Sequence, residues 1–167
     1  MVLAGCAAPA KTENMVTGAE PEAAVGAHST LRHSIWLADV RGGQAANAVI
    51  RSDVGNAELQ QALIESLRAN HLLADQPDEA RFNLSAELTE LNQPDSGTDL
   101  TVTSKIRYEV RAHRSNRQIL SMTVSAPYTA QLSDSVIVFE RMRLANEGSV
   151  RENIRVFIDH FVRELAR

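Results

Sequence analysis

The stretch from Leu100 to Ala112 alternates without a break. Leu100, Val102, Ser104, Ile106, Tyr108, Val110 and Ala112 fall on one side, and Thr101, Thr103, Lys105, Arg107, Glu109 and Arg111 on the other. A helix repeats every 3.6 residues, so a period of two sustained over this length predicts an extended strand with one covered and one wet face. Its neighbours repeat the pattern. Phe82, Leu84, Ala86 and Leu88 alternate with Asn83, Ser85, Glu87 and Thr89, and Leu120, Met122, Val124, Ala126 and Tyr128 continue the apolar face. Pro94-Asp95-Ser96-Gly97 and Ser115-Asn116 supply the turns between them. Pro127 has no amide hydrogen to donate and so marks an edge or an exit. Upstream, HSIWLADV (33–40) followed by Arg41-Gly42-Gly43 reads as a further strand stopped by a glycine turn.

A sheet with one wet face needs helices on the other. The segment NAELQQALIESLRANHLLAD (56–75) places Leu59, Leu63 and Leu67 on one helical stripe, widened by Ala62 and Ile64. Asn56 is the expected N-cap, with Glu58 in the first turn, and Gln76-Pro77-Asp78 ends the unit. The last segment carries the stripe Ile154, Phe157, Ile158, Phe161 and Leu165. That helix is expected to begin near Val138 and to have a weak spot at Gly148. Glu147–Arg151 and Asp159–Arg163 have the spacing of supporting ion pairs. The order β-α-β-β-β-α predicts an α+β two-layer sandwich: a mostly antiparallel four-stranded sheet with two helices on one face. If the first two strands are parallel, their crossover is right-handed.

Length and composition agree with one domain. The chain has 167 residues, 44% of them hydrophobic, and with 4% aromatics its core is expected to be aliphatic. The formal net charge of -4 gives no reason to expect a nucleic-acid partner. No stretch approaches the ~20 apolar residues of a membrane-spanning helix. A single cysteine, Cys6, excludes an internal disulfide and a multi-cysteine metal site.

Motifs that carry chemistry are missing. There is no Gly-x-Ser-x-Gly elbow, no phosphate loop and no His-Glu-x-x-His. His28, His33, His71, His113 and His160 are scattered without ligand spacing and read as solvated or capping residues. Strict alternation puts Glu87 and Glu90 on opposite faces, as solvated carboxylates. No catalytic residue, metal or cofactor is expected, and the chain reads as a non-enzyme. One local feature stands out. From Leu100 to Gln118 the cations Lys105, Arg107, Arg111, Arg114 and Arg117 face Glu109 alone. Lys105, Arg107 and Arg111 share the wet face of one strand. They suit contact with an anionic partner such as lipid phosphates or an acidic protein surface. A solvated face that deters edge pairing is the reading that comes first. The strand edges are also where a partner could dock by strand addition.

Leu3-Ala4-Gly5-Cys6 resembles the lipobox of bacterial lipoproteins: an aliphatic residue, two small residues, then cysteine. The resemblance implies cleavage before Cys6, a diacylglycerol on its sulfur and a further chain on its new amino group. Several chains are needed because one gives only marginal anchoring. Residues 1–5 are then the remnant of a signal peptide. Residues 6–30 are a lipidated cysteine with a flexible Ala-, Gly-, Pro-, Glu- and Thr-rich tether. As a coil, the 24 residues from Ala7 to Thr30 span about 25–30 Å. Ala7 after the cysteine implies, by the enterobacterial sorting rule, the outer membrane. Residues 31–167 form the single periplasmic domain.

A lipobox, a tether and a β-α-β-β-β-α domain together resemble the small envelope lipoproteins of Gram-negative bacteria. The lipopolysaccharide-assembly lipoprotein is the nearest, followed by the auxiliary lipoproteins of envelope ABC transporters. The resemblance rests on element order across residues 31–167 and implies no binding residues. It implies a non-enzymatic, membrane-anchored accessory in envelope assembly or transport, facing the periplasm and binding an envelope protein. A lipid or glycolipid binder using the basic strand face, or an enzyme with an unrecognised site, are the alternatives.

Overall fold

The computed structural model describes residues 10–18, 29–42 and 54–165. Cys6, residues 1–5 and much of the expected tether lie outside the described residues. The elements run α1 (Thr12–Met15, one helical turn), β1 (Ile35–Arg41), α2 (Asn56–Ala69), β2 (Phe82–Asn92), β3 (Leu100–Ala112), β4 (Gln118–Ala130) and α3 (Val138–Leu165). The four strands form one sheet in the order β1-β2-β3-β4. β1 runs parallel to β2, and the other pairs are antiparallel. The expected α+β sandwich is therefore the observed one. Pro127 lies on β4, an edge strand whose free side needs no donor.

The alternation becomes burial directly. Leu84, Ala86, Ile106, Tyr108, Val110 and Val124 pack in one cluster with Leu59, Leu63 and Leu67 of α2 and Ile154, Phe157 and Phe161 of α3. Few aromatics are present, but Phe82, Tyr108, Phe157 and Phe161 sit in the core. The Tyr108 and Phe157 rings stack at 4.2 Å, and Phe82 meets Phe161 edge-on at 5.8 Å. A smaller cluster of Leu100, Val102, Ala130, Met142 and Ala145 closes the end of the sheet where α3 begins.

Between sheet and helix lies a buried polar seam. The Ser149 hydroxyl accepts the Ser104 N–H at 2.7 Å and donates to the Ala126 carbonyl at 2.7 Å; Ser104 and Ala126 are directly opposite in the β3–β4 register. The Asn153 amide donates to the Ser104 carbonyl at 3.1 Å and the Val124 carbonyl at 3.0 Å. Its own carbonyl oxygen accepts from the Tyr108 hydroxyl at 3.0 Å. Every member is buried and bonded, so the seam fixes the register of α3 on the strands instead of weakening the core.

Four local expectations change. The N-cap of α2 is Gly55, one residue before Asn56, and the Glu58 carboxylate folds back over it. α2 stops at Ala69 because His71 adopts φ 58°, and Leu72 N–H closes the helix end on the Leu67 carbonyl at 2.8 Å. Gly148 is not a weak spot. A Cβ there would stand 2.3 Å from the Tyr128 ring, so glycine is what lets β4 approach α3. The expected helical ion pairs are also re-partnered. Glu147 binds Arg143, and Arg151 lies over the Tyr128 ring. Asp159 takes Arg155, while Arg163 donates to the Asp159 backbone carbonyl.

The largest difference concerns residues 10–18, expected as flexible tether but packed on the domain. Ala10 and Met15 are buried in the main cluster. The Glu147 carboxylate accepts the Lys11 N–H at 2.6 Å and the Asn14 amide at 2.7 Å, and Arg151 donates to the Asn14 carbonyl. Further on, Thr17 N–H reaches the Ser66 hydroxyl near the end of α2. Buried apolar contacts and satisfied backbone groups outweigh the disorder favoured by composition.

Candidate functional site

The wet face of the sheet carries the basic cluster expected from the sequence. Lys105, Arg107 and Arg111 do share that face of β3, but each meets a carboxylate. Lys105 Nζ binds Glu90, Arg107 binds Glu87, and Arg111 lies 3.4 Å from Glu109. On β1, Arg41 pairs with Asp39. Four cations are thus matched by four carboxylates.

This matching depends on a feature with no sequence signal. The β2–β3 register slips between Leu88 and Glu90, leaving Thr89 as an extra residue. The slip reverses the alternation, so Glu87 and Glu90 stand on the same face, opposite Arg107 and Lys105. The expectation of opposite faces fails because a bulge changes the phase of every residue beyond it. A matching slip between Leu37 and Asp39 in β1 keeps Arg41 beside Glu87. The Lys105 ammonium and then the Asn92 amide, both donating to Glu90, hold its carboxyl below the ordinary glutamate range. Asp39 beside Arg41 raises that guanidinium further. The face is a lattice of exposed, solvent-screened pairs in which these four cations are each matched by a carboxylate.

The histidines among the described residues do not converge either. His33 lies 3.7 Å from Asp75, and His113 Nδ1 is 3.0 Å from Asn83 Oδ1 on the sheet surface. Among the described residues, no three His, Cys, Asp or Glu side chains gather as a metal site would require. A shallow groove runs between α1 and α2, walled by Glu13, Glu65 and Arg68, but it is wide open to solvent.

The feature that stands out is apolar. Five large hydrophobic residues are exposed among the described residues, and all lie in one stretch between β4 and the first turn of α3. They are Leu132 (45%), Val136 (81%), Ile137 (56%), Val138 (44%) and Phe139 (45%). Polar groups in and beside the same stretch bond one another at the surface. Asp134 accepts the Gln131 N–H at 2.7 Å, and Asp99 of the neighbouring turn accepts the Leu132 N–H at 3.1 Å. The Ser135 hydroxyl accepts from Ile137 N–H and donates to Glu140, while buried Arg141 donates to the Ser135 carbonyl at 2.6 Å. The stretch is thus a hydrogen-bonded turn that leaves its apolar side chains exposed. The run Val136-Ile137-Val138-Phe139 was a visible signal: a half-buried helix needs apolar residues every three or four positions, not four in succession.

No family model matches the chain, and no curated protein matches it. Solved structures do share its fold. A Xanthomonas campestris protein of the family DUF330 superposes with a TM-score of 0.55 at 11% identity, covering 88% of this chain and 90% of its own. A protein from Chlamydia trachomatis gives 0.50 at 14% identity, covering 77% and 97%. A candidate lipoprotein from Caulobacter crescentus gives 0.48 at 10% identity, covering 79% and 92%. At these identities the likeness is one of fold.

Proposed function

We propose that this chain is a lipid-anchored protein of the bacterial envelope, acylated at Cys6 and facing the periplasm from the outer membrane. In this reading it serves as a non-enzymatic accessory in envelope assembly or transport and binds an envelope protein. The observation that carries the anchor is Leu3-Ala4-Gly5-Cys6, standing four residues ahead of Ala10, which is buried in the core. A cysteine behind an aliphatic and two small residues is the pattern at which lipobox cleavage and acylation take place.

The lipid-binding alternative on Lys105, Arg107 and Arg111 draws no support from the geometry, since their charges are already matched in place. The enzyme alternative lacks a constellation of convergent polar groups among the described residues.

The test is the intact mass of the protein expressed in a bacterial host from its full native gene. A chain beginning at Cys6 and carrying three acyl chains is the expected result. An unmodified chain that keeps residues 1–5 overturns the anchor. Crosslinking in isolated outer membranes, followed by purification, should then capture an envelope protein. Recovery of the acylated chain alone would remove the accessory role.

A further inference from the structure

The bracing of residues 10–18 on α3 has a geometric consequence for the apolar tip. Thr17 sits by Ser66 and Asn70 at the far end of α2, while Lys11 sits by Glu147. Followed backwards, the chain thus runs toward the start of α3. Phe139 lies eight residues before Glu147, about 12 Å along the helix. Cys6 is four residues before Ala10, so it can extend at most about 14 Å from that buried point. The length of the intervening chain therefore allows the cysteine to reach the end of the molecule that carries Leu132, Val136, Ile137, Val138 and Phe139.

We infer that this tip seats in the lipid bilayer beside the acyl chains of Cys6, so that the domain docks on the membrane surface in one orientation. The inference rests on the proposed acylation. Its occupant is the apolar region of the bilayer, not the phosphate layer. Residues 131–140 contain Asp134 and Glu140 and no cation, and neighbouring Arg141 is buried against Ser135. Attraction to anionic headgroups is therefore not what draws the tip in, whereas exposed valine, isoleucine and phenylalanine side chains gain by leaving water. The tether expected from composition would let the domain roam about 25–30 Å from the anchor. The braced segment leaves about half that reach, which keeps the domain close to the membrane.

The test uses full-length Phe139→Trp in a Trp36→Phe background, expressed from the full native gene and checked by intact mass. Trp36 begins the sheet at the opposite end from the tip, so the parent protein is the internal control. Both proteins are reconstituted into phosphatidylcholine vesicles whose lipids are brominated along the acyl chains. The expected result is that the Phe139→Trp variant loses most of its emission while the parent, emitting from Trp36, keeps its own. Replacing half of the phosphatidylcholine with phosphatidylglycerol should leave both unchanged. If the chain is acylated and the indole introduced by Phe139→Trp stays unquenched, the inference falls and the anchor stands. If sedimentation shows the tip shielded by a second copy, and Phe139→Asp disperses that assembly, the inference also falls. An unacylated chain removes the anchor and this inference with it. Ile137→Trp provides the same readout should Phe139→Trp disturb the fold.

Discussion

Tyr108 shows how much one buried polar atom decides. Its ring is fully buried against Phe157, and its hydroxyl has Asn153 as partner. Burial pushes the phenol well above its ordinary pKa, because the phenolate would lose its hydration. An acid whose folded pKa is raised contributes stability that is complete below the unfolded value, near 10, and is lost as pH rises past it. Tyrosinate absorbance from Tyr108 is therefore expected only together with loss of near-ultraviolet circular dichroism. Tyr108→Phe removes that alkaline loss. At neutral pH it leaves the Asn153 carbonyl oxygen without its donor, at a cost of about 1–3 kcal/mol read from the urea midpoint. A Tyr108→Phe protein that still loses stability as steeply above the phenol range would break this account. The same side chain shows what the sequence conceals. Tyr108 was legible as a core position from alternation alone, but its link to Asn153 was not, because no local pattern reports which helix turn will lie over a strand.

Elements were legible where a period runs long enough. β3 and the stripe of α3 follow from spacing, since burial of one face outweighs every weaker preference. The bulges at Ala38 and Thr89 were not, and they reversed the reading of Glu87 and Glu90. A bulge is set by how two strands must twist to stay paired, which one strand's sequence does not express. Gly148 belongs to the same class. In an exposed helix, Gly→Ala would stabilise by roughly 1 kcal/mol. Here the new methyl meets the Tyr128 ring, so Gly148→Ala is expected to destabilise by about 1–3 kcal/mol. Tyr128→Ala in the same chain should recover part of that loss. A Gly148→Ala protein with a higher thermal midpoint than the parent would show that β4 yields freely.

For the domain as a unit, the N-terminal brace converts a sheet with two helices into a three-sided enclosure of the core. Composition carried no warning of it, because Ala10 and Met15 are too few and too far apart to make a period. Their burial is visible only once Glu147 is seen holding the Lys11 N–H, the Asn14 amide and the Arg143 guanidinium together. Glu147→Ala should cost about 3–5 kcal/mol, since Arg143 is left buried with only the exposed Glu140 at 3.6 Å. It should also expose residues 10–18 to proteolysis, and a variant as protected as the parent would show that Met15 alone holds the brace. The seam on the other side of α3 offers a way to watch the assembly open. The Ser104 amide lies in the middle of a long strand, where exchange of its proton with deuterium would ordinarily report separation of the strands. Because Ser149 of α3 accepts that proton, its exchange instead times the departure of the helix from the sheet.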